Sequence, residues 1–182
     1  MKKADGFLSV RTMTWEDFFW VWSLARDPVT REGSLDRHVP GFFDHFRWFR
    51  RWVSKGRSSE VSSTGAHSLR DNRRRAMVLV MAFPGEGGLN MVNVGLYRIG
   101  PSMEGGCECG VAIVPEWRGH GLATEALEMM LPWSYSNGGR PVWARIRLDN
   151  IASRKSFERA GFRRVVQPPP SFRREGVGVW SV

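Results

Sequence analysis

Apolar and polar positions change period several times along the chain. "FLSVRTMT" (7–14) alternates, the period-two signature of a strand. Thr14 followed by "WED", with Asp17 three residues on, is a variant of the capping box, and it predicts a helix over residues 15–26 with Phe18, Phe19, Trp22 and Ala25 on its apolar side. Pro28 breaks that helix, and "VTREGSLDRHVPG" (29–41) reads as a loop. "FFDHFRWFRRWV" (42–53) returns to helical spacing, with Phe42, Phe46, Phe49 and Val53 on one stripe and Arg47, Arg50 and Arg51 largely off it. "AMVLVMAF" reads as a buried strand and "PGEGG" as a turn, followed by strands at "NMVNVGLYRIG" and "CECGVAIV", the last stopped by Pro115.

Downstream, "TEALEMMLPW" predicts a helix with Pro132 near its end, and "PVWARIRL" a strand that alternates Val142, Ala144, Ile146 and Leu148 against Trp143, Arg145 and Arg147. "NIASRKSFERAGF" predicts a helix closed at Gly161, and "RRVVQ" and "VGVWSV" predict two short strands. The order β-α-α-β-β-β-α-β-α-β-β implies one mixed α/β domain over 1–182. A chain of 182 residues, 42% hydrophobic and 25% charged, is long enough to bury a core.

Charge adds one feature to this picture. The formal net charge is +9, and residues 54–75, "SKGRSSEVSSTGAHSLRDNRRR", set Lys55, Arg57, Arg70, Arg73, Arg74 and Arg75 against only Glu60 and Asp71. This serine-rich stretch has no apolar period and reads as a loop that is either simply solvated or steers anions, phosphates or nucleic acid. Cys107 and Cys109 have no partner pair at zinc-ligand spacing and read as reduced strand residues; no metal is expected. With no signal-peptide pattern and no long apolar run, a cytoplasmic location without membrane association is expected.

Candidate chemistry concentrates in "VPEWRGHGLATEAL" (114–127). A glycine-containing turn that feeds a helix presents free backbone N–H groups and the positive end of a helix dipole, a natural place for phosphate. The spacing is neither that of a dinucleotide-binding loop nor that of a P-loop. A tight strand-to-helix turn without a ligand is the other reading of the same residues.

Arg118-Gly119-His120-Gly121-Leu122-Ala123, together with Asn150, Ser153, Phe157, Gly161 and Phe162 of "NIASRKSFERAGF", resembles the two signatures of the GNAT superfamily of N-acetyltransferases. The resemblance covers about residues 92–165. It implies a mixed, partly splayed sheet of about six to seven strands flanked by about four helices, with acetyl-CoA as cosubstrate between two diverging strands. It implies that Arg118, Gly119, His120, Gly121, Leu122, Ala123 and Thr124 hold the pyrophosphate, that Ala112, Ile113 and Val114 pair with the pantetheine arm, and that Asn150 bonds a pantetheine amide. Many family members carry a tyrosine where this chain has Phe157, so the proton for the departing thiolate must come from elsewhere. Ser153 matches a serine of the ribosomal-protein N-terminal acetyltransferase subgroup, and water is the alternative. Glu108, a carboxylate in an apolar strand, is a candidate for general base or amine-orienting group.

The acceptor is expected to be a small primary amine. Asp27, Arg31, His45, Trp48 and Phe49 resemble a pattern of enzymes acting on amino-sugar nucleotides, with Arg31, His45 and Trp48 as substrate-binding candidates. His45 is a second candidate base, and packing is the plain reading for that helix. A protein N-terminal or lysine acetyltransferase, and a nucleic-acid-binding protein acting on an amine-bearing base or tRNA, stand as alternatives. The oligomeric state is left open.

Overall fold

The structure is a computed structural model that describes residues 6–53, 74–86 and 88–182. Seven strands form one mixed sheet: β1 (Phe7–Thr12), β2 (Arg75–Gly85), β3 (Gly88–Pro101), β4 (Cys107–Ile113), β5 (Val142–Arg147), β6 (Arg163–Arg164) and β7 (Val177–Ser181), in the spatial order β1-β2-β3-β4-β5-β7-β6. The first four pair antiparallel in sequence order. Strand β5 is antiparallel to β7, which carries β6 on its other edge. Among the described residues, five helices cover the sheet: α1 (Phe18–Arg26), α2 (Pro28–Gly33), α3 (Phe42–Trp52), α4 (Leu122–Gly138) and α5 (Ile151–Arg159).

β2 is buried on both faces from Ala76 to Ala82. Its alternate residues serve two cores. Met77, Leu79 and Met81 pack with Leu122, Ala126, Leu127, Phe157 and Phe162 on the α4–α5 side. Ala76, Val78 and Val80 pack with Phe18, Val21, Leu24 and Phe49 on the α1–α3 side. This two-sided burial explains why "AMVLVMAF" shows a continuous apolar run rather than an alternation.

Three elements depart from the sequence reading. The expected loop after Pro28 begins with α2, because Asp27 caps it by accepting from the Thr30 N–H (2.7 Å) and Thr30 hydroxyl (2.8 Å), and Pro28 occupies the first turn, where its missing N–H costs nothing. Helix α4 runs past Pro132 to Gly138; Ser134 Oγ donates to the Met130 carbonyl (2.7 Å), while Leu127, Met130 and Leu131 stay packed in the core. "RRVVQ" yields only a two-residue strand, followed by one more bond from Val165 N–H to the Val179 carbonyl (2.8 Å).

The functional consequence lies between β4 and β5. They pair in parallel only at Cys107↔Val142 and Glu108↔Trp143. Beyond Glu108 the ladder stops, although β4 continues to Ile113 and β5 to Arg147. Two neighbouring strands thus lie unpaired with each other over most of their length, inside an otherwise continuous sheet.

Candidate active site

The unpaired end of β4 leads directly into the glycine turn. A 3-10 turn at Pro115–Trp117 buries the Trp117 ring, which packs against Phe83 (5.9 Å between centroids). Gly119 and Gly121 follow with φ of 78° and 79°, the left-handed region that costs any other residue about 1–2 kcal/mol. A Cβ at either position would meet no atom within 4 Å beyond its chain neighbours. The glycines are there for backbone conformation, and the space in front of them is open.

Gly121 is the N-cap of α4 and offers no side-chain cap. The first helical bond runs from Glu125 N–H to the Gly121 carbonyl (3.2 Å), so the N–H groups of Leu122, Ala123 and Thr124 have no acceptor within the helix. Leu122 is buried and fixes the start of α4, while His120 Nδ1 donates to the Arg118 carbonyl (2.9 Å). An uncapped helix start behind two glycines fits an anionic diphosphate.

Arg118 serves this turn differently from a direct phosphate ligand. Its Nε donates to the Ile113 carbonyl (3.0 Å), and its Nη2 donates to Asp27 Oδ2 (2.5 Å) and to Thr30 Oγ1 (2.9 Å). The guanidinium therefore ties the end of β4 to the start of α2. Burial alone would raise the Asp27 pKa, but the Arg118 and Thr30 hydrogen bonds outweigh it and hold the carboxyl below its usual value.

Asn150 anchors the other end of α2. Its Oδ1 accepts from Ser153 N–H (3.0 Å) as the N-cap of α5, and its Nδ2 donates to the Gly33 carbonyl (3.1 Å). Arg37 Nη2 reaches Asp149 (3.1 Å), which also pairs with Arg147. Helix α2 is thus strapped across the gap, with Asp27 tied to the β4 side and Gly33 to the residues just after β5. Asn150 reaches the gap already committed to two backbone partners.

Glu108 sits at the last β4–β5 pair, with both carboxylate oxygens on Arg145 of β5 (2.9 and 3.0 Å). It marks the closed end of the gap, and the glycine turn marks the open end. Ser153 is partly buried in the first turn of α5. Phe157 is buried, edge-on to Phe162 (4.9 Å) in the α4–α5 core. Gly161 (φ 94°) closes α5 with bonds from Gly161 N–H to Glu158 and from Phe162 N–H to Phe157, a Schellman motif.

The proposed acceptor residues separate. His45 is 2% exposed, with Nε2 3.3 Å from the Phe18 carbonyl and its ring stacked between Trp22 (6.3 Å) and Trp48 (5.6 Å). Burial pushes its pKa down, partly offset by the Phe18 carbonyl. This places His45 within the aromatic cluster. The stacking continues from Trp48 to Trp52 (5.7 Å). Arg31 Nη1 donates to the carbonyls of Asp36 (3.2 Å) and His38 (3.3 Å), and its buried Nε has no acceptor among the described residues.

Sequence reasoning passed over Arg98, Arg145, Trp52 and the joint role of Asp27 and Thr30. A signal existed for Arg98: it is a lone charge between buried Tyr97 and Ile99, the same anomaly that drew attention to Glu108. Cys107 and Cys109 are free buried thiols, and burial raises Cys107 to about 11. Of the basic segment, residues 54–73 lie outside the described residues. Among the described residues no helix is long and apolar enough to cross a membrane.

A family model for the acetyltransferase (GNAT) domain matches residues 8–163. The chain belongs to the GNAT family. It is accordingly an acetyl-CoA-dependent N-acetyltransferase. Solved structures resemble its fold over nearly its whole length. A domain from Methanocaldococcus jannaschii matches with a TM-score of 0.72 at 18% identity, over 98% of this chain and 99% of that one. Spermidine N-acetyltransferase from Vibrio cholerae, in complex with CoA and spermine, matches at 0.65 and 16%, over 96% and 94%. A putative acetyltransferase from Salmonella typhimurium with acetyl-CoA matches at 0.65 and 15%, over 97% and 93%. No curated protein sequence is a significant match.

Proposed function

We propose that acetyl-CoA lies in the gap between β4 and β5, with its pyrophosphate on the N–H groups of residues 119–124. The supporting observation is the coincidence of two features: a parallel ladder that stops after two pairs, and an uncapped helix start behind two left-handed glycines at its open end. The free edge of β4 at Ala112, Ile113 and Val114 would take the pantetheine arm as an added strand. Arg118 and Asn150 act as positioning residues, holding the turn and α5 against α2.

Acetyl-CoA supplies an acetyl thioester; the acceptor nitrogen forms a bond to the acetyl carbon as the carbon–sulfur bond breaks. Glu108, with both oxygens on Arg145, keeps lone pairs with which to accept the amine proton through intervening water. A backbone N–H of β4 near Ile113 or Val114 would stabilise the developing oxyanion. With Phe157 in the core, Ser153 or water delivers the proton to the departing thiolate. The acceptor is a small primary amine, of which an amino-sugar nucleotide fits the aromatic and arginine residues of α2 and α3.

The test is CoA release from acetyl-CoA, followed with a thiol reagent, against amino-sugar nucleotides, N-terminal peptides, polyamines and tRNA. Release dependent on a small amine is expected. Release only with peptides or tRNA would overturn the acceptor assignment.

A further inference from the structure

On the α1–α3 face of the sheet, beside the β4–β5 gap, Arg98 has no hydrogen-bond or ion-pair partner among the described residues. Arg98 extends from β3 over its neighbour Gly110 on β4; a Cβ at Gly110 would lie 3.3 Å from Arg98 Nη2. Among the described residues its side chain makes no hydrogen bond or ion pair. Its guanidinium is held by aromatic rings instead, 5.9 Å from the Trp48 centroid and 5.8 Å from Trp52. Nearby Glu108 cannot neutralise it fully, because both Glu108 oxygens are on Arg145.

Arg31 of α2 lies within electrostatic range and makes the position still more positive. Its own bonds go to neutral carbonyls, and its buried Nε is orphaned. The Arg98 pKa is lowered by burial first and by Arg31 second, against an opposing effect of Glu108. A half-buried cation without an ion-pair partner is less well solvated than one in water, and an arriving anion relieves it.

We infer that Arg98, with Arg31 and the Trp48 and Trp52 rings, forms a subsite for an anionic group on the acceptor. This rests on the acetyl-transfer site proposed above and narrows its substrate. The acceptor is an amine that also carries a delocalised oxyanion, a carboxylate or a phosphate. The planar fork of Arg98 pairs with the oxyanion, the tryptophan rings flank it, and Glu108 faces the amine end. A polycation such as the spermine named with the Vibrio structure would instead meet two guanidinium groups that form no ion pair among the described residues.

The experiment compares turnover within matched pairs: glucosamine against glucosamine 6-phosphate, and tyramine against tyrosine, with spermine alongside. Wild-type kcat/KM is expected to favour the anionic member of at least one pair by about tenfold or more. The pair that shows the preference separates phosphate from carboxylate recognition. Arg98→Gln should erase the preference through acceptor KM and leave acetyl-CoA KM unchanged, and Arg98→Lys should restore part of it. Preference for neutral amines or spermine, or an equal loss on all acceptors in Arg98→Gln, overturns the subsite while leaving acetyl transfer intact. If no amine turns over, the transfer reading fails separately. The subsite is then decided by the thermal midpoint in inorganic phosphate or acetate: a saturable rise lost in Arg98→Gln supports it, and no rise overturns it.

Discussion

Arg118 Nη2 lies 2.5 Å from Asp27 Oδ2, although the two residues are 91 positions apart. One belongs to the glycine turn after β4, the other caps α2 on the opposite side of the gap. The pair couples the cofactor turn to the strap above it. Asp27→Ala should remove both the helix cap, at about 1 kcal/mol, and the partner of a partly buried guanidinium, at about 1–3 kcal/mol. A lower thermal midpoint and a several-fold rise in acetyl-CoA KM are expected. An unchanged KM would show that the turn does not need the strap.

His45 makes stability depend on pH. Its folded pKa is lowered, chiefly by burial, so the folded state binds the proton less readily than the unfolded state. Its contribution is fully present above the unfolded value of 6.5 and is lost as pH falls through the folded value. The thermal midpoint should therefore drop on acidification below about pH 6.5, and His45→Gln should flatten that part of the curve. Titration of His45 by NMR at or above 6.5 would refute this.

Asp17 and Asp27 act in a lower window. Burial favours their neutral forms, but Arg11 and Thr14 lower the first and Arg118 and Thr30 lower the second. Their stabilisation is present above the ordinary value of 3.8 and disappears as pH falls below it. Arg11→Gln should lower stability above about pH 3.8 by removing the ion pair to Asp17 (2.8 and 2.6 Å), and converge with wild type at lower pH; a stability curve identical to wild type would exclude that ion pair as a source.

Glu108→Gln separates proton transfer from orientation. A neutral amide keeps the shape but loses half of the bidentate Arg145 pairing and cannot accept the amine proton. If Glu108 is the base, kcat should fall by about 100-fold, within the range of general-base contributions, with acetyl-CoA KM unchanged. A fall of only a few-fold would restrict Glu108 to orienting the amine.

Much of the frame was legible because burial repeats along the chain. β2 read directly from its continuous apolar run, β5 from period two, and α5 from its close at Gly161. Helix α2 was hidden because its six residues carry no apolar stripe, and only the Asp27 cap with Pro28 betrays it. The glycine turn could be found, since left-handed backbone demands glycine. The direction of the Arg118 side chain could not, because its partners Asp27 and Thr30 are remote in sequence. Arg98 shows the same limit: the lone charge is visible in "GLYRIG", but its place over Gly110 depends on the β3–β4 register.

The central claim is that the β4–β5 gap and its glycine turn hold acetyl-CoA. The most direct measurement is backbone hydrogen exchange with and without acetyl-CoA, on wild type and on Gly121→Glu. In wild type, acetyl-CoA should slow exchange at residues 119–124 and along the free edge of β4. In Gly121→Glu, where a carboxylate occupies the open space before the turn and φ near 79° strains the backbone, that protection should vanish while the β2–β3 ladder stays protected. Protection elsewhere in wild type, or undiminished protection in the variant, would contradict the account.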